Sequence, residues 1–186
     1  MIALGADAPG QVRLARLERS DGKALRRLFY RLSPETIYRR FHSPLVRPEQ
    51  AQPERLLDID HHDREAVVAV VDGEIVGVAR YFRQSGTDAA EVAVVVADDW
   101  HRQGVATRMF SGLVEFARAA GIERFTVSMQ ADNTPALALF RRFNGSGATL
   151  SQGILESTVH LAAAVAVMVS SSASRTRDQH VPTYCR

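Results

Sequence analysis

Residues 98–107 read Asp98-Asp99-Trp100-His101-Arg102-Gln103-Gly104-Val105-Ala106-Thr107. They follow residues 91–96, which are apolar after Glu91 and predict a strand. They lead into an amphipathic stretch at residues 104–120, which predicts a helix. The first N–H groups of a helix have no intrahelical partner and lie at the positive end of its dipole. Small residues at Gly104 and Ala106 let a phosphate group approach this backbone closely. The stretch predicts either a phosphate-binding turn or close packing of a helix on a sheet.

The segments on both sides of this turn predict a single α/β domain. Asp72-Gly73 and Gln152-Gly153 each separate two apolar runs, as is typical of β-hairpins. Asn133 and Pro135 mark a helix start, and so do Ser33 and Pro34. The predicted strands are 12–17, 66–71, 75–82, 91–96, 125–129, 148–151 and 154–161, and the predicted helices are 21–31, 34–41, 54–57, 104–120 and 134–143.

Composition narrows the class of protein. The chain has 186 residues, of which 46% are hydrophobic, and its formal net charge is +2. Because disordered chains combine low hydrophobicity with high net charge, this composition excludes a disordered chain. The arginines are scattered rather than clustered, so we expect no nucleic-acid partner. The longest apolar run, residues 161–169, is far shorter than the roughly 20 residues that span a bilayer, so we expect no membrane association.

Cysteine and histidine content bears on compartment and metal binding. Cys185 is the single cysteine, so neither an internal disulfide nor a cysteine-rich metal site can form. Residues 1–15 lack the pattern of a secretory signal, and we therefore expect a cytoplasmic protein. His42, His61 and His62 are expected to be surface or loop residues, and no metal is predicted.

Two landmarks resemble the GNAT acetyltransferase superfamily. Its signature Gln/Arg-x-x-Gly-x-Gly/Ala is matched by His101-x-x-Gly104-x-Ala106, with a departure at the first position. Asn133-x-x-Ala136-x-x-Leu139-Phe140 is similar to the family's Asn-x-x-Ala-x-x-Leu-Tyr helix. The resemblance covers residues 11–161, and residues 162–186 are predicted to form a poorly ordered tail. It implies an α/β (α+β) GNAT fold, with a mixed, mostly antiparallel central sheet flanked by helices and a V-shaped splay between strands 4 and 5.

The same resemblance implies acetyl-CoA as the acetyl donor, bound in the splay between strands 4 and 5. By that resemblance the backbones of Val94 and Val96 bond the pantetheine arm, and Asn133 contacts the cofactor from the other side. The pyrophosphate is expected to be surrounded by Arg102, Gln103, Gly104, Val105, Ala106 and Thr107.

One carboxylate is a candidate general base. A lysine amine has a pKa of about 10.4, so forming the neutral nucleophile at neutral pH costs roughly 4–5 kcal/mol. Glu91 lies where many family members place their base, although it also fits an exposed glutamate at a strand edge. Asp98 and Asp99 are interpreted as solvated loop residues. Phe140 replaces the family's proton-donating tyrosine, so no general acid is assigned.

The acceptor is an amine of one of two kinds. The segment Leu32-Ser33-Pro34-Glu35-Thr36-Ile37-Tyr38-Arg39-Arg40-Phe41 resembles a segment of bacterial protein-lysine acetyltransferase domains, which favours a protein lysine over a small amine. The alternative from another class is a non-catalytic acyl-CoA-binding regulatory module. A monomer and a homodimer are both compatible with the sequence.

Overall fold

A seven-stranded sheet runs through the part of the chain described by the computed structural model, residues 10–41, 53–162 and 164. Its spatial order is β1-β2-β3-β4-β5-β7-β6. The strands are β1 (Arg13–Arg16), β2 (Arg64–Val71), β3 (Glu74–Arg83), β4 (Ala89–Val96), β5 (Arg124–Gln130), β6 (Ser146–Ser151) and β7 (Ile154–His160). The helices are α1 (Gly22–Tyr30), α2 (Pro34–Phe41), α3 (Val105–Ala119) and α4 (Thr134–Arg142), and a 3-10 turn covers Pro53–Leu57.

Local sequence signals account for these elements. Asp72 and Gly73 both have positive φ values (48° and 80°), as the tight turn between β2 and β3 requires. Asn133 caps α4, since its Oδ1 accepts a hydrogen bond from the Ala136 N–H at 3.2 Å. Each predicted helix and strand is present. The predicted loop at residues 43–52 lies outside the described residues. Of the predicted tail, residues 162–186, the structure describes only residues 162 and 164.

Helices cover both faces of the sheet because strand residues alternate between the faces. On one face, Val68, Val78 and Val95 pack with apolar residues of α1 and α2. On the other face, Val67 and Phe125 pack with α3 and α4. The described part contains no helix that is both long and apolar enough to cross a membrane.

The sheet separates between β4 and β5. These neighbours are parallel and pair only over Ala89↔Arg124, Ala90↔Phe125 and Glu91↔Thr126, whereas all other neighbouring strands are antiparallel. Both strands continue beyond the last pair, and we call the gap between their unpaired ends the split. The predicted fold class is therefore confirmed: a mixed, mostly antiparallel sheet flanked by helices, with a splay between strands 4 and 5.

Candidate active site

The unpaired end of β4 turns backbone polar groups toward the split. The Ala97 N–H donates to the Val76 carbonyl of β3 at 2.8 Å. Antiparallel hydrogen bonding alternates along a strand, so the N–H and C=O groups of Val94 and Val96 point to the opposite edge. At that edge, β4 pairs with β5 only up to Glu91. The backbone of Val94 and Val96 thus faces the split, where the sequence predicted the pantetheine arm to bind.

The start of α3 is open in the way that an anion requires. Gly104 is the N-cap residue with φ +77°, and no side chain of the described residues caps the helix. A Cβ atom built on Gly104 would meet no atom within 4 Å, so the space beside this backbone is free. Arg102 also has a positive φ of 60°, which turns the chain sharply into the helix.

The side chains of the predicted pyrophosphate turn divide into two groups. Val105 is buried and Ala106 packs against the same core, so these two residues have only backbone groups to offer a ligand. Arg102 and Gln103 are exposed, and Thr107 is half-buried. The turn therefore combines free helix N–H groups with one nearby arginine, a combination that suits a phosphate.

His101 occupies the position at which the motif departs from Gln or Arg. Its Nε2 lies 2.9 Å from the Val96 carbonyl oxygen, to which it donates a hydrogen bond. The residue therefore ties the turn back onto the end of β4. It satisfies one of the carbonyl groups that face the split.

Asn133 and Phe140 lie on the β5 side of the split. Asn133 follows the carboxyl end of β5, and the 98–104 turn follows the carboxyl end of β4. Because β4 and β5 are parallel, Asn133 and the turn lie at the same edge of the sheet, on opposite sides of the gap. The Oδ1 of Asn133 is engaged in the α4 cap, which leaves its amide NH₂ for a ligand. Phe140 is buried and packs edge-on against Phe110, with ring centroids 5.5 Å apart.

Glu91 lies at the apex of the split, in the last pair before the two strands separate. Its side chain is exposed, and it lines a pocket of about 400 Å³ on the face that α2 covers in part. A second carboxylate, Glu156 of β7, lines the same pocket together with the hydroxyls of Thr126, Ser128 and Thr158. The pocket is thus polar and carries negative charge, which suits an ammonium group or an amine.

Two arginines approach Glu91 from neighbouring elements. Arg80 lies on the same face of β3, diagonally across from Glu91 in the β3–β4 pairing. The pKa of Arg40 is lowered to about 10, first by burial and then by the positive charge of the nearby Arg80. The Glu91 carboxylate acts in the opposite direction and raises this pKa. Both guanidinium groups stay protonated at neutral pH and interact with the Glu91 carboxylate. Neither arginine was predicted from the sequence.

Asp98 differs from its predicted role. It is half-buried rather than solvated, and its carboxylate accepts hydrogen bonds from the Ser33 N–H (2.9 Å), the Ser33 hydroxyl (2.7 Å) and the Thr36 hydroxyl (2.8 Å). Burial alone would raise the pKa of Asp98, but these hydrogen bonds outweigh it and lower the pKa. Asp99 is exposed, as expected. The partners lie 65 and 62 residues away, so no local signal identified them.

His61 and His62 each form a hydrogen bond with a neighbouring carboxylate. His61 Nδ1 lies 3.0 Å from Glu65 Oε1, and His62 Nδ1 lies 2.9 Å from Asp63 Oδ1. Among the described residues, no three His, Cys, Asp or Glu side chains are grouped so that they could hold a metal ion. His42 lies outside those residues.

Comparisons with known proteins identify the family. The family model of the acetyltransferase (GNAT) family matches residues 29–145, which is more than half of the chain. The chain belongs to the GNAT acetyltransferase family. The structure is similar to the crystal structure of the GNAT domain of S. lividans PAT, with a TM-score of 0.75 and 25% sequence identity over 80% of this chain and 90% of that one.

The matches to two curated relatives each cover part of both chains. Acetyltransferase Pat of Mycolicibacterium smegmatis is 33% identical over 104 residues, which are 54% of this chain and 31% of Pat. An acetyltransferase of Pseudomonas aeruginosa is 33% identical over 112 residues, which are 58% of this chain and 60% of that protein. The chain thus spans about a third of one relative and three fifths of the other. Family membership supports the predicted acyl-CoA-dependent N-acetyltransferase.

Proposed function

We propose that this chain transfers an acetyl group from acetyl-CoA to a primary amine, and that the amine belongs to a protein lysine. The observation that carries the proposal is the split, with unpaired backbone groups on β4, an open helix start at one end and a carboxylate at the apex. The resemblance of residues 32–41 to protein-lysine acetyltransferase domains supports the choice of acceptor. A relative named acetyltransferase Pat agrees with the transfer of an acetyl group.

Acetyl-CoA fits the residues present. The Val94 backbone offers an N–H and a C=O group to the amides of the pantetheine arm, as a neighbouring strand would. Val96 offers its N–H group, since its carbonyl oxygen accepts a hydrogen bond from His101. The pyrophosphate would lie against the N–H groups of residues 104–107, where Gly104 leaves room and the helix dipole favours negative charge. Arg102 is exposed beside this turn and adds positive charge.

Glu91 is proposed as the general base. The acceptor nitrogen, once neutral, attacks the thioester carbonyl carbon; an amide C–N bond forms, the C–S bond breaks, and coenzyme A leaves as the thiol. Glu91, directly or through a water, takes the proton that the amine must lose, and solvent supplies the proton that the leaving thiolate needs. The buried Phe140 ring has no group that could supply it.

The acceptor is proposed to reach Glu91 through the polar pocket. Glu156 attracts an ammonium group into the pocket, whereas Arg40 and Arg80 near Glu91 disfavour the ammonium form at that point. This gradient of charge favours deprotonation as the amine approaches the base. A lysine side chain is long enough to enter while its protein remains outside.

The decisive experiment is a turnover assay with acetyl-CoA and a panel of acceptors. Lysine-containing proteins, lysine peptides and small diamines are compared by release of free coenzyme A thiol and by intact mass of the acceptor. The enzyme itself contributes little background because Lys23 is its one lysine. We expect acetylation of proteins or peptides at lysine, with slower turnover of small amines.

Two results would contradict the proposal in different ways. Faster turnover of small amines than of lysine peptides and proteins would replace the protein acceptor with a small molecule, an alternative that the pocket of about 400 Å³ can accommodate. Tight acetyl-CoA binding without turnover on any amine would indicate the non-catalytic module instead.

A further inference from the structure

Asp98 joins two elements that serve different substrates in the proposed reaction. Its carboxylate bonds to Ser33 and Thr36 at the start of α2, the helix that covers part of the acceptor face. Its backbone begins the turn toward α3, and the Asp98 carbonyl accepts a hydrogen bond from the His101 N–H at 3.1 Å. Within the described residues, every polar contact between residues 33–41 and 97–104 passes through this one carboxylate.

The contact is strong for a loop interaction. A carboxylate accepting several hydrogen bonds is charge-assisted, and at the N-terminus of α2 it also interacts favourably with the helix dipole. Ser33 Oγ accepts from the Thr36 N–H at 3.2 Å, so the cap of α2 and the Asp98 contact form one network. The network leaves the first turn of α2 little freedom to move relative to the turn after β4.

The two ends of α2 therefore meet two different parts of the site. Its first turn is bonded to Asp98, beside the turn that leads to Gly104. Its last turn carries Arg40, which interacts with Glu91 at the apex of the split. The helix thus extends from the turn after β4 to the charge beside the candidate base.

We propose that Asp98 is a positioning residue that couples the cofactor turn to the acceptor-side helix. The inference rests on the proposed function of the split. Its particular consequence is that removing the Ser33 and Thr36 hydroxyls weakens acetyl-CoA binding, because the turn loses its anchor to α2 and part of its order must be restored when the ligand binds. Ser33 and Thr36 would act through Asp98 rather than by touching the cofactor.

Calorimetric titration with acetyl-CoA tests this coupling in four proteins: wild type, Asp98→Asn, the double variant Ser33→Ala/Thr36→Val, and the combined triple variant. We expect Asp98→Asn and the double variant each to raise Kd about fivefold, the lower end of typical coupling between sites. The triple variant should bind no more weakly than either, since all three side chains belong to one network.

Asp60→Asn is the matched control. The Asp60 carboxylate also accepts hydrogen bonds from backbone N–H groups, those of His62, Asp63 and Arg64. It lies before β2, at the end of the sheet opposite Val96, since Arg64 pairs with Phe82 and Phe82 pairs with Glu91. This variant should lower the unfolding temperature and leave the Kd for acetyl-CoA unchanged.

The outcomes separate the inference from the proposed function. If the wild type does not bind acetyl-CoA, the proposed function fails, and this inference with it. If the wild type binds but the folded Asp98→Asn and double variants bind equally well, the coupling alone is wrong. Additive losses in the triple variant would also overturn it. Should Asp98→Asn fail to fold, the double variant still decides.

Discussion

The proposed cofactor and acceptor sites on the two sides of the split are formed by different chemical groups, backbone groups in one and side chains in the other. On the proposed cofactor side, the groups that face the gap are backbone groups of Val94 and Val96 and the free N–H groups of α3, while Val105 and Ala106 pack against the core. On the proposed acceptor side, the pocket is lined mainly by side chains from β4, β5, β6 and β7. A backbone site tolerates many side chains and demands small ones at a few places, whereas a side-chain site depends on each residue.

The sharpest test of this contrast is Glu91→Gln, which keeps the shape of the side chain and removes its basicity. We expect kcat at neutral pH to fall about 10²-fold, within the range for general base catalysis, and to recover in part at higher pH as more amine is neutral. Acetyl-CoA affinity should not change, because Glu91 lies on the proposed acceptor side. Steady-state rates and calorimetry measure the two quantities, and a wild-type rate would remove Glu91 from the mechanism.

Gly104→Glu probes the cofactor side. A carboxylate at the start of α3 repels the pyrophosphate and fills the free space beside the backbone, so we expect Kd for acetyl-CoA to rise at least tenfold, about 1.4 kcal/mol. The chain's single tryptophan, Trp100, lies four residues upstream and offers a fluorescence readout alongside calorimetry.

Gly104→Ala tests the effect of backbone strain at position 104 separately from the effect of a side chain that blocks the ligand. Its Cβ would meet no atom within 4 Å, but φ is +77°, so this variant reports the strain of a left-handed residue alone. The loss in Gly104→Glu should exceed that in Gly104→Ala. Equal affinities in the two folded variants would argue against a pyrophosphate at this turn.

Glu156→Gln makes a smaller change on the acceptor side. Glu156 is exposed, so its attraction for a cationic acceptor is partly screened by solvent, and we expect KM for a lysine peptide to rise about two- to fivefold with kcat little changed. The effect should shrink at high salt. Glu123→Gln, an exposed glutamate outside the pocket, is the control. A fall in kcat with constant KM would instead place Glu156 among the groups that take part in proton transfer.

The smallest expected effect is the loss of stability in acid. Burial opposes the charged form of Asp60, but hydrogen bonds from Arg64, His62 and Asp63 lower its pKa to about 2, and the pKa of Asp98 is lowered too. A carboxyl with a depressed folded-state pKa stabilises the protein above its unfolded value of about 3.9, and this contribution disappears as pH falls through the folded value. Stability should thus decline between about pH 4 and pH 2.

Thermal unfolding across that range checks the sign of this effect and its location. Asp60→Asn and Asp98→Asn should each flatten the decline, because the substituted side chain no longer titrates. Of the two, only Asp98→Asn should also affect acetyl-CoA binding at neutral pH. A steeper acid decline in either variant would contradict the direction assigned to the pKa.

Much of the fold could be predicted because the signals are local. Asp72-Gly73 predicts its hairpin by the positive φ values that only a few residues adopt readily, and Gly104 predicts the start of α3. The apolar periodicity of residues 105–119 specifies which side of α3 is buried. The predicted last hairpin is present, but nothing local indicated that β7 lies between β5 and β6.

Asp98 shows where such reasoning fails. An aspartate next to a second aspartate in a loop has the local pattern of a solvated residue. Its real environment depends on α2, which reaches it from 65 residues away and offers three donors. The same holds for Glu156, since only the β5–β7 pairing brings that strand to the pocket of Glu91.

The sequence by itself determined the elements, the helix start at Gly104 and the resemblance to a family, because glycine turns, caps and periodicity act over a few residues. Tertiary structure alone decided that pairing between β4 and β5 stops at Glu91, that Arg40, Arg80 and Glu156 gather near that carboxylate, and that Asp98 bonds to α2. The physical reason is the sequence separation over which each kind of interaction acts. Backbone conformation is set by neighbours in the chain, whereas charge, burial and hydrogen-bond partners at a site are set by neighbours in space.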